Sequence, residues 1–260
     1  FTILTKKNIE KINAASSADL ISSQGIHVQK SQQGGGSPVL RGFEASRVLL
    51  VVDGVRLNNI IHRAGHLQNI ITLDPNMLER VEVAYGPAST IYGSDALGGA
   101  ICCFTKRPML AIDSTKNNLK VNAFYRYGDV NNENTAHIDF NFGAKRVGSL
   151  TSFTYSQFGD LRSGANQNPL YDKTYGERFY FVKRFNDKDS LVKNTSRYNQ
   201  IESGYSQYDI LQKVLFQQSE KLSHQLNIQY SNTQLFYLLQ YLPLKVVVIN
   251  YDLKHYQLQK

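Results

Sequence analysis

From Leu119 onward apolar and polar residues alternate with a period of two, so this part of the chain must form antiparallel sheet with two unlike faces. Leu119, Val121, Ala123, Tyr125 and Tyr127 share one side of the first segment. In the next, Ala136, Ile138, Phe140 and Phe142 stand opposite His137, Asp139 and Asn141. Thr151, Phe153 and Tyr155 continue the pattern within 149–158, and residues 207–217 add another segment. After that, Leu222, Leu226, Ile228 and Tyr230 oppose Ser223, Gln225, Asn227 and Gln229. A water-soluble sandwich buries such apolar faces against each other. A membrane barrel turns them to lipid, and Tyr and Phe near segment ends suit its aromatic girdles. The alternation leaves both architectures open.

Ahead of Pro108 the chain reads as mixed α and β. Thr5 to Asn13 predicts a short helix with Thr5 as N-cap and Ile9 and Ile12 on one face. A second helix is expected over Ser17 to Ile21, with Asp19 near its start and Gly25 past its end. Ile26 to Gln29 alternates like a strand, whereas Gln33 to Pro38, with three consecutive glycines, is expected to hold no regular structure. Arg47 to Gly54 is a continuous β-branched run, which predicts a strand buried on both faces and a tight turn at Asp53-Gly54. Met77 to Tyr85 is a second strand, closed by Gly86-Pro87. A glycine-punctuated turn region over Ser89 to Gly99 leads into a third strand, Ala100 to Thr105.

Composition removes several function classes. With 42% hydrophobic and 19% charged residues, the 260-residue chain is neither disordered nor a coiled coil. Its net charge of +8 divides into +3 over residues 1–110 and +5 over 111–260, with no block of one sign. A nucleic-acid footprint needs a basic patch or stripe, so no nucleic-acid partner is expected, while anionic headgroups suit the same charge. No stretch approaches the roughly 18 consecutive apolar residues of a spanning helix. Adjacent Cys102 and Cys103 make neither a disulfide framework nor a four-ligand zinc site, and on a strand they point oppositely, so two free thiols are expected. Catalytic signatures are lacking: there is no Gly-x-Ser-x-Gly elbow, Walker loop or His-Glu-x-x-His helix. Glu79 and Glu82 fall on opposite faces of a strand and cannot serve one substrate as acid and base. No enzyme is expected.

Four blocks then occur in a telling order. They are Gly36-Ser-Pro-Val-Leu-Arg-Gly-Phe; Arg47-Val-Leu-Leu-Val-Val-Asp-Gly-Val-Arg; Leu78-Glu-Arg-Val-Glu-Val-Ala-Tyr-Gly-Pro; and Ala88-Ser-Thr-Ile-Tyr-Gly-Ser-Asp-Ala-Leu-Gly-Gly-Ala-Ile. Together, across about 110 residues, they resemble the plug of a TonB-dependent outer-membrane receptor. The segment from Leu150 to Arg162 resembles the barrel start of such receptors from Bacteroidetes-type bacteria. The resemblance implies an α+β plug over residues 1–109, followed over 110–233 by antiparallel transmembrane strands of a 22-stranded barrel. It implies a transporter in the cell outer membrane that takes up a scarce ligand, with the TonB complex and outer-membrane lipid as partners.

A plug inside a hydrated lumen must dock through polar contacts. Arg41, Arg47, Asp53, Arg56, Glu79, Arg80 and Glu82 are the candidate docking and structural charges, pairing within the plug or with barrel carboxylates. The competing reading is of ordinary exposed charges worth under about 1 kcal/mol each. Gly42, Gly54, Gly86, Pro87, Gly93, Gly98 and Gly99 are assigned to turns and close packing. Between the first two strand motifs, His62, Arg63 and His66 resemble the outward loop of Bacteroidetes-type haem receptors, which makes haem or an iron complex the candidate transported ligand. The Arg-Ala-Pro and Asn-Pro motifs of haem-receptor barrels are not found, and the other reading is of histidines satisfied within their loop.

Five or six candidate strands fall short of the about 8 that close the smallest outer-membrane barrels, so a fragment is expected. The family's TonB-contacting segment, which precedes the plug, is not seen. From Gln234 to Lys260 there is no Gly, and Leu235 to Leu242 with Val246 to Ile249 loses the alternation, so 234–260 is read as an atypical tail after a frameshift or junction near Thr233. Two other functions stay open: a plug-bearing component of an outer-membrane complex that does not itself transport, and a soluble glycan or nucleic-acid binder.

Overall fold

The computed structural model describes residues 1–30, 33–44, 47–57, 69–86, 89–111, 116–164, 170–172, 174–186, 188–220, 222–235 and 244–255. In chain order the N-terminal domain contains β1 (Thr2–Thr5), α1 (Lys6–Ile12), α2 (Ser17–Ser22), β2 (His27–Gln29), β3 (Ser37–Val39), β4 (Val48–Val52), β5 (Val55–Arg56), β6 (Leu78–Tyr85), α3 (Ser89–Tyr92) and β7 (Gly99–Thr105). Five of its strands form one sheet in the order β1-β6-β7-β4-β5, parallel only between β4 and β7.

Local chemistry accounts for these elements. Thr5 occupies the N-cap of α1 with extended backbone and no side-chain cap bond. Ser16 caps α2 by accepting from the Asp19 amide at 3.2 Å while its hydroxyl donates to the Asp19 carboxylate. All five residues of β4 are buried, as the continuous apolar run requires. The chain then reverses through Asp53 and Gly54, with φ of 48° and 87°, the left-handed pair of a tight hairpin turn. The expectation for Gln33 to Pro38 needs correction: Ser37 and Pro38 belong to β3 and pair with Gln29 and Val28. A two-stranded ribbon tolerates a proline that a central strand would reject. The glycines themselves lie ahead of the strand, so their entropy does not oppose it.

Most of the core lies between the sheet and α1 and α2, where Leu4, Ile9, Leu20, Leu50, Val81 and Ile101 meet. Cys103 faces this core, and Cys102 faces a smaller cluster with Leu49, Val51 and Ala100 on the other side of the sheet. Both thiols are free and buried.

The second body begins with β8 (Asn118–Gly128), β9 (Glu133–Gly143) and β10 (Val147–Phe158). A long excursion over residues 159–204 follows, carrying β11 (Leu161–Arg162), β12 (Tyr180–Phe185), β13 (Lys188–Lys193) and β14 (Asn199–Gln200). The chain returns through β15 (Tyr205–Gln217), β16 (Leu222–Leu235) and β17 (Leu244–His255). The large strands make one antiparallel sheet in the order β17-β16-β15-β10-β9-β8. Within the excursion, β11 pairs with β14 and β12 with β13.

This sheet is inverted relative to a soluble one. On the face toward the N-terminal domain, Thr135, His137, Asp139, Thr154, Asp209 and Lys213 are buried. On the opposite face, Val121, Phe140, Phe153, Tyr208, Ile210 and Leu226 are exposed. A sandwich places its faces the other way round, with the apolar ones buried against each other.

Burial raises both thiols above the ordinary range, Cys103 strongly and Cys102 despite its bond to the Tyr92 hydroxyl. The favoured folded form is the protonated one, so this stabilisation is full below the ordinary thiol range and is lost as pH climbs above it. We expect neither cysteine to be alkylated at pH 8 in the native protein and both to react in denaturant. Fast native labelling at either position would contradict the packing.

Candidate functional site

The seam between the N-terminal domain and the polar face of the large sheet holds the buried charged groups among the described residues, Asp74, Glu133, Asp139, Asp209 and Lys213 with His137. It is built from three anchors on different elements.

At the β4–β5 turn, Asp53 accepts from the Thr105 amide at 2.9 Å and the Thr105 hydroxyl at 2.6 Å, which fixes its carboxylate. The same carboxylate receives Lys213 Nζ and Asn227 Nδ2 from the sheet, each at 2.9 Å. Lys213 is only 1% exposed and also donates to the Thr105 carbonyl. A lysine this deep is stable only beside a hydrogen-bonded anion. The left-handed turn at Asp53 aims that anion across the seam.

A second anchor follows the end of β7. Lys106 donates to Asp139 at 2.6 Å, and Asn122 donates to the other carboxylate oxygen at 2.6 Å. His137 lies beside them, with Nε2 3.2 Å from Asp139 and Nδ1 2.7 Å from Thr154. Thr154 in turn donates to Asp74, whose second oxygen accepts from the Asn76 amide. Thr154 has one proton and gives it to Asp74, while the roles of His137 Nδ1 toward Thr154 and Nε2 toward Asp139 follow the ring's tautomer. Lys106, Asp139, His137, Thr154 and Asp74 thus form one connected polar chain that crosses the seam twice.

The third anchor lies at the far end of α1. Arg126 pairs with Glu133 on the neighbouring strand at 2.6 Å. It also donates to the Asn13 side chain at 2.9 Å and the Ala14 carbonyl at 3.3 Å. A cation at a helix C-terminus complements the free carbonyls there. Farther along, Gln207 donates to the Ile71 carbonyl at 2.8 Å. Among the described residues two small buried apolar clusters span the seam, Ile71 with Phe158 and Tyr205, and Met77 with Leu150 and Leu211. Beside the second anchor, between α1 and strands β8 and β9, lies a cavity of about 210 Å³ lined by Lys106, Asn122, Phe124, His137 and Asp139.

Of the charges singled out from sequence, the structure carries Asp53 to this seam. Arg80 pairs with Glu82 at 2.7 Å and lies over the Phe104 ring. Glu79 approaches Arg107 at 4.0 Å. Arg47 sits 5.9 Å from the Phe43 ring centre, Arg41 lies beside Gly86, and Arg56 lies beside Gly93. Gly42, Gly54, Gly86, Gly93 and Gly99 all have positive φ, while Gly98 is crowded by Phe43. Pro87, His62, Arg63 and His66 fall outside the described residues. Sequence reasoning missed Lys106, Asp139, His137, Thr154 and Lys213. For the four on the large sheet the signal was a charge or hydroxyl on the polar side of an alternating strand, and Lys106, just past β7, had none.

Comparison with known proteins fits this geometry. The model of the TonB-dependent receptor plug domain matches residues 1–100. The chain carries a TonB-dependent receptor plug. The antiparallel strands after it share their fold with solved outer-membrane receptors. Curated relatives include the vitamin B12 transporter BtuB of Vibrio vulnificus, 39% identical over 109 residues, covering 40% of this chain and 17% of the relative. A hemin receptor of Yersinia pestis is 31% identical over 169 residues, covering 62% of this chain and 23% of that protein. Among solved structures, the copper transporter OprC matches with a TM-score of 0.65 at 18% identity, covering 89% of this chain and 30% of that one. The ferric enterobactin receptor PfeA of Pseudomonas aeruginosa matches with a TM-score of 0.58 at 15% identity, covering 89% and 33%. The chain therefore spans roughly a sixth to a quarter of the curated relatives and a third of the solved receptors.

Removing one partner of a buried pair costs about 3–5 kcal/mol, because the other charge is left stranded. We expect Lys213→Met or Asp53→Ala to make the plug markedly more sensitive to protease, and Asp53→Leu with Lys213→Met to recover part of the loss. A double variant as sensitive as the sum of the singles would show that the two residues act independently.

Proposed function

We propose that the chain forms the plug and first staves of an outer-membrane receptor that imports a scarce ligand with energy from TonB. The supporting observation is the inversion of the large sheet: its polar side is buried on the plug and its apolar side faces outward. In water that arrangement wastes the apolar surface, whereas in a bilayer it is the stable one. The strands run 11 to 14 residues, enough for a tilted crossing of the hydrocarbon. Tyr125, Tyr155 and Tyr208 line up across β8, β10 and β15 as a girdle on the outer face, with the last two rings 4.9 Å apart. On this reading residues 1–109 are the plug, 110–233 the first staves and 234–260 an atypical tail, a division that the surrounding nucleotide sequence tests.

For the ligand we propose haem or an iron complex, on the strength of the hemin-receptor alignment, which extends beyond the plug, and of His62, Arg63 and His66 in the expected ligand loop. Deleting the gene should abolish growth on that iron source to the same degree as deleting TonB. Growth equal to the parent strain would favour a plug-bearing component that does not transport. With purified receptor, haemin should give a Soret shift that His66→Ala reduces, and an identical shift in that variant would remove His66 from the ligand site.

The membrane reading has its own test. Phe153→Arg places a cation on the outer face and should cost about 2–4 kcal/mol of stability in bilayers. A change within about 0.5 kcal/mol, typical of a water-exposed surface position, would mean that the face does not meet lipid.

A further inference from the structure

Between α1 and the large sheet the seam is open rather than packed. The cavity of about 210 Å³ beside β8 and β9 shares Lys6, Lys106, Asn122 and Asp139 with a second of about 120 Å³, which reaches Arg107 and Lys120. Together they form one crevice along the seam side of β8. Lys120, Asn122 and Phe124 are successive positions on that side, about 13 Å from first to last. Lys120 lies toward the end of the sheet with the short β9–β10 connection, and Arg126 toward the end with the excursion. Short connections of an outer-membrane barrel face the periplasm and long ones the outside. The crevice therefore rises from the inner end of the wall.

Arg126 is the next seam-side position after Phe124, and the crevice is bounded by Asn13 and Ala14, the residues that Arg126 holds. Asn13 ends α1 with φ of 47°, so the guanidinium ties the end of that helix to the wall. Glu133 braces it from β9, yet its Nη2 is buried and meets no partner among the described residues. A buried unmet donor opposes the closed arrangement, and water satisfies it once the helix end moves away. We propose that Arg126 is the gate at which the seam first opens. Closed, it seals the outer end of the crevice against the plug. When the end of α1 leaves it, the crevice runs through as a narrow path for water and small ions beside the Lys106–Asp139 pair.

The inference rests on the receptor reading above, and the test separates the two. The receptor that contains these residues is reconstituted in liposomes loaded with potassium ions. Protection of the wall strands from added protease shows insertion, and its loss would overturn the membrane reading itself. Arg126→Met with Glu133→Gln removes the pair without stranding either charge and should raise potassium efflux several-fold over the parent receptor. Asn13→Gly keeps the left-handed backbone, takes away one acceptor and should give a smaller rise. The native thiols are buried, so an introduced cysteine reports the path. With Phe124→Cys added to the double variant, a cationic methanethiosulfonate should return efflux to near the parent level. With Leu211→Cys, in the apolar cluster beside Met77, it should not. Efflux equal to the parent in both gate variants would show that Arg126 closes nothing, and the proposal falls. It falls equally if Phe124→Cys gives no block, or if Leu211→Cys blocks as strongly, which would mean that the plug had loosened as a whole.

Discussion

Buried polar groups must be hydrogen-bonded, and this one requirement organises the molecule. Lys213, Asp139 and His137 lie on the concealed side of a sheet whose other side is apolar. Alone, that sheet would have to solvate three ionisable groups in one small patch. Against the plug, each finds a fixed partner: Asp53 for Lys213, Lys106 for Asp139, and Thr154, itself bonded to Asp74, for His137. The two bodies supply opposite signs at different positions along the seam. A plug rotated or shifted by one strand would confront like with like or strand a charge, so electrostatics sets the docking register as well as its strength.

Much of the fold was legible because its signals are local. The apolar run before Asp53-Gly54 can only be a buried strand and turn, and the alternation from Leu119 can only be sheet. The sense of that alternation was not legible. Phe140 and His137 differ in which way each faces, and a period of two is the same whether the lipid side or the core side is apolar. The site was harder to read, because its members are far apart in sequence: Asp53 and Lys213 are separated by 160 positions, and nothing local marks either as the other's partner. Asp53 was found because a left-handed turn announces itself. Lys213 looked like one more polar residue on a strand.

The far end of the sheet shows the same limit. Val246 to Ile249 reads as an unbroken apolar run, yet Ile249, Tyr251 and Leu253 alternate with Asn250, Asp252 and Lys254. In register, Tyr251 stands opposite Leu226 of β16, an outer-face position, and Asn250 stands opposite Asn227, a seam-side one. The period returns once pairing reveals where to begin counting. A sequence window that opens on the valines alone hides it.

The balance of contacts across the seam also bears on how a plug can leave its place. Among the described residues the buried apolar clusters there are the small ones around Ile71 and Met77, beside many hydrogen bonds and ion pairs. Separating an oily interface exposes apolar area at about 25 cal/mol per Å² with nothing to offset the cost. Separating a polar one exchanges each bond for a bond to water, leaving a net difference of only about 0.5–1.5 kcal/mol per neutral pair. The cavity beside Lys106 and Asp139 gives such water room to enter at an ion pair. A wall lined this way can hold the plug firmly while every contact is intact, and let go in steps once one end is pulled. An apolar seam of the same area would resist until it failed as a whole.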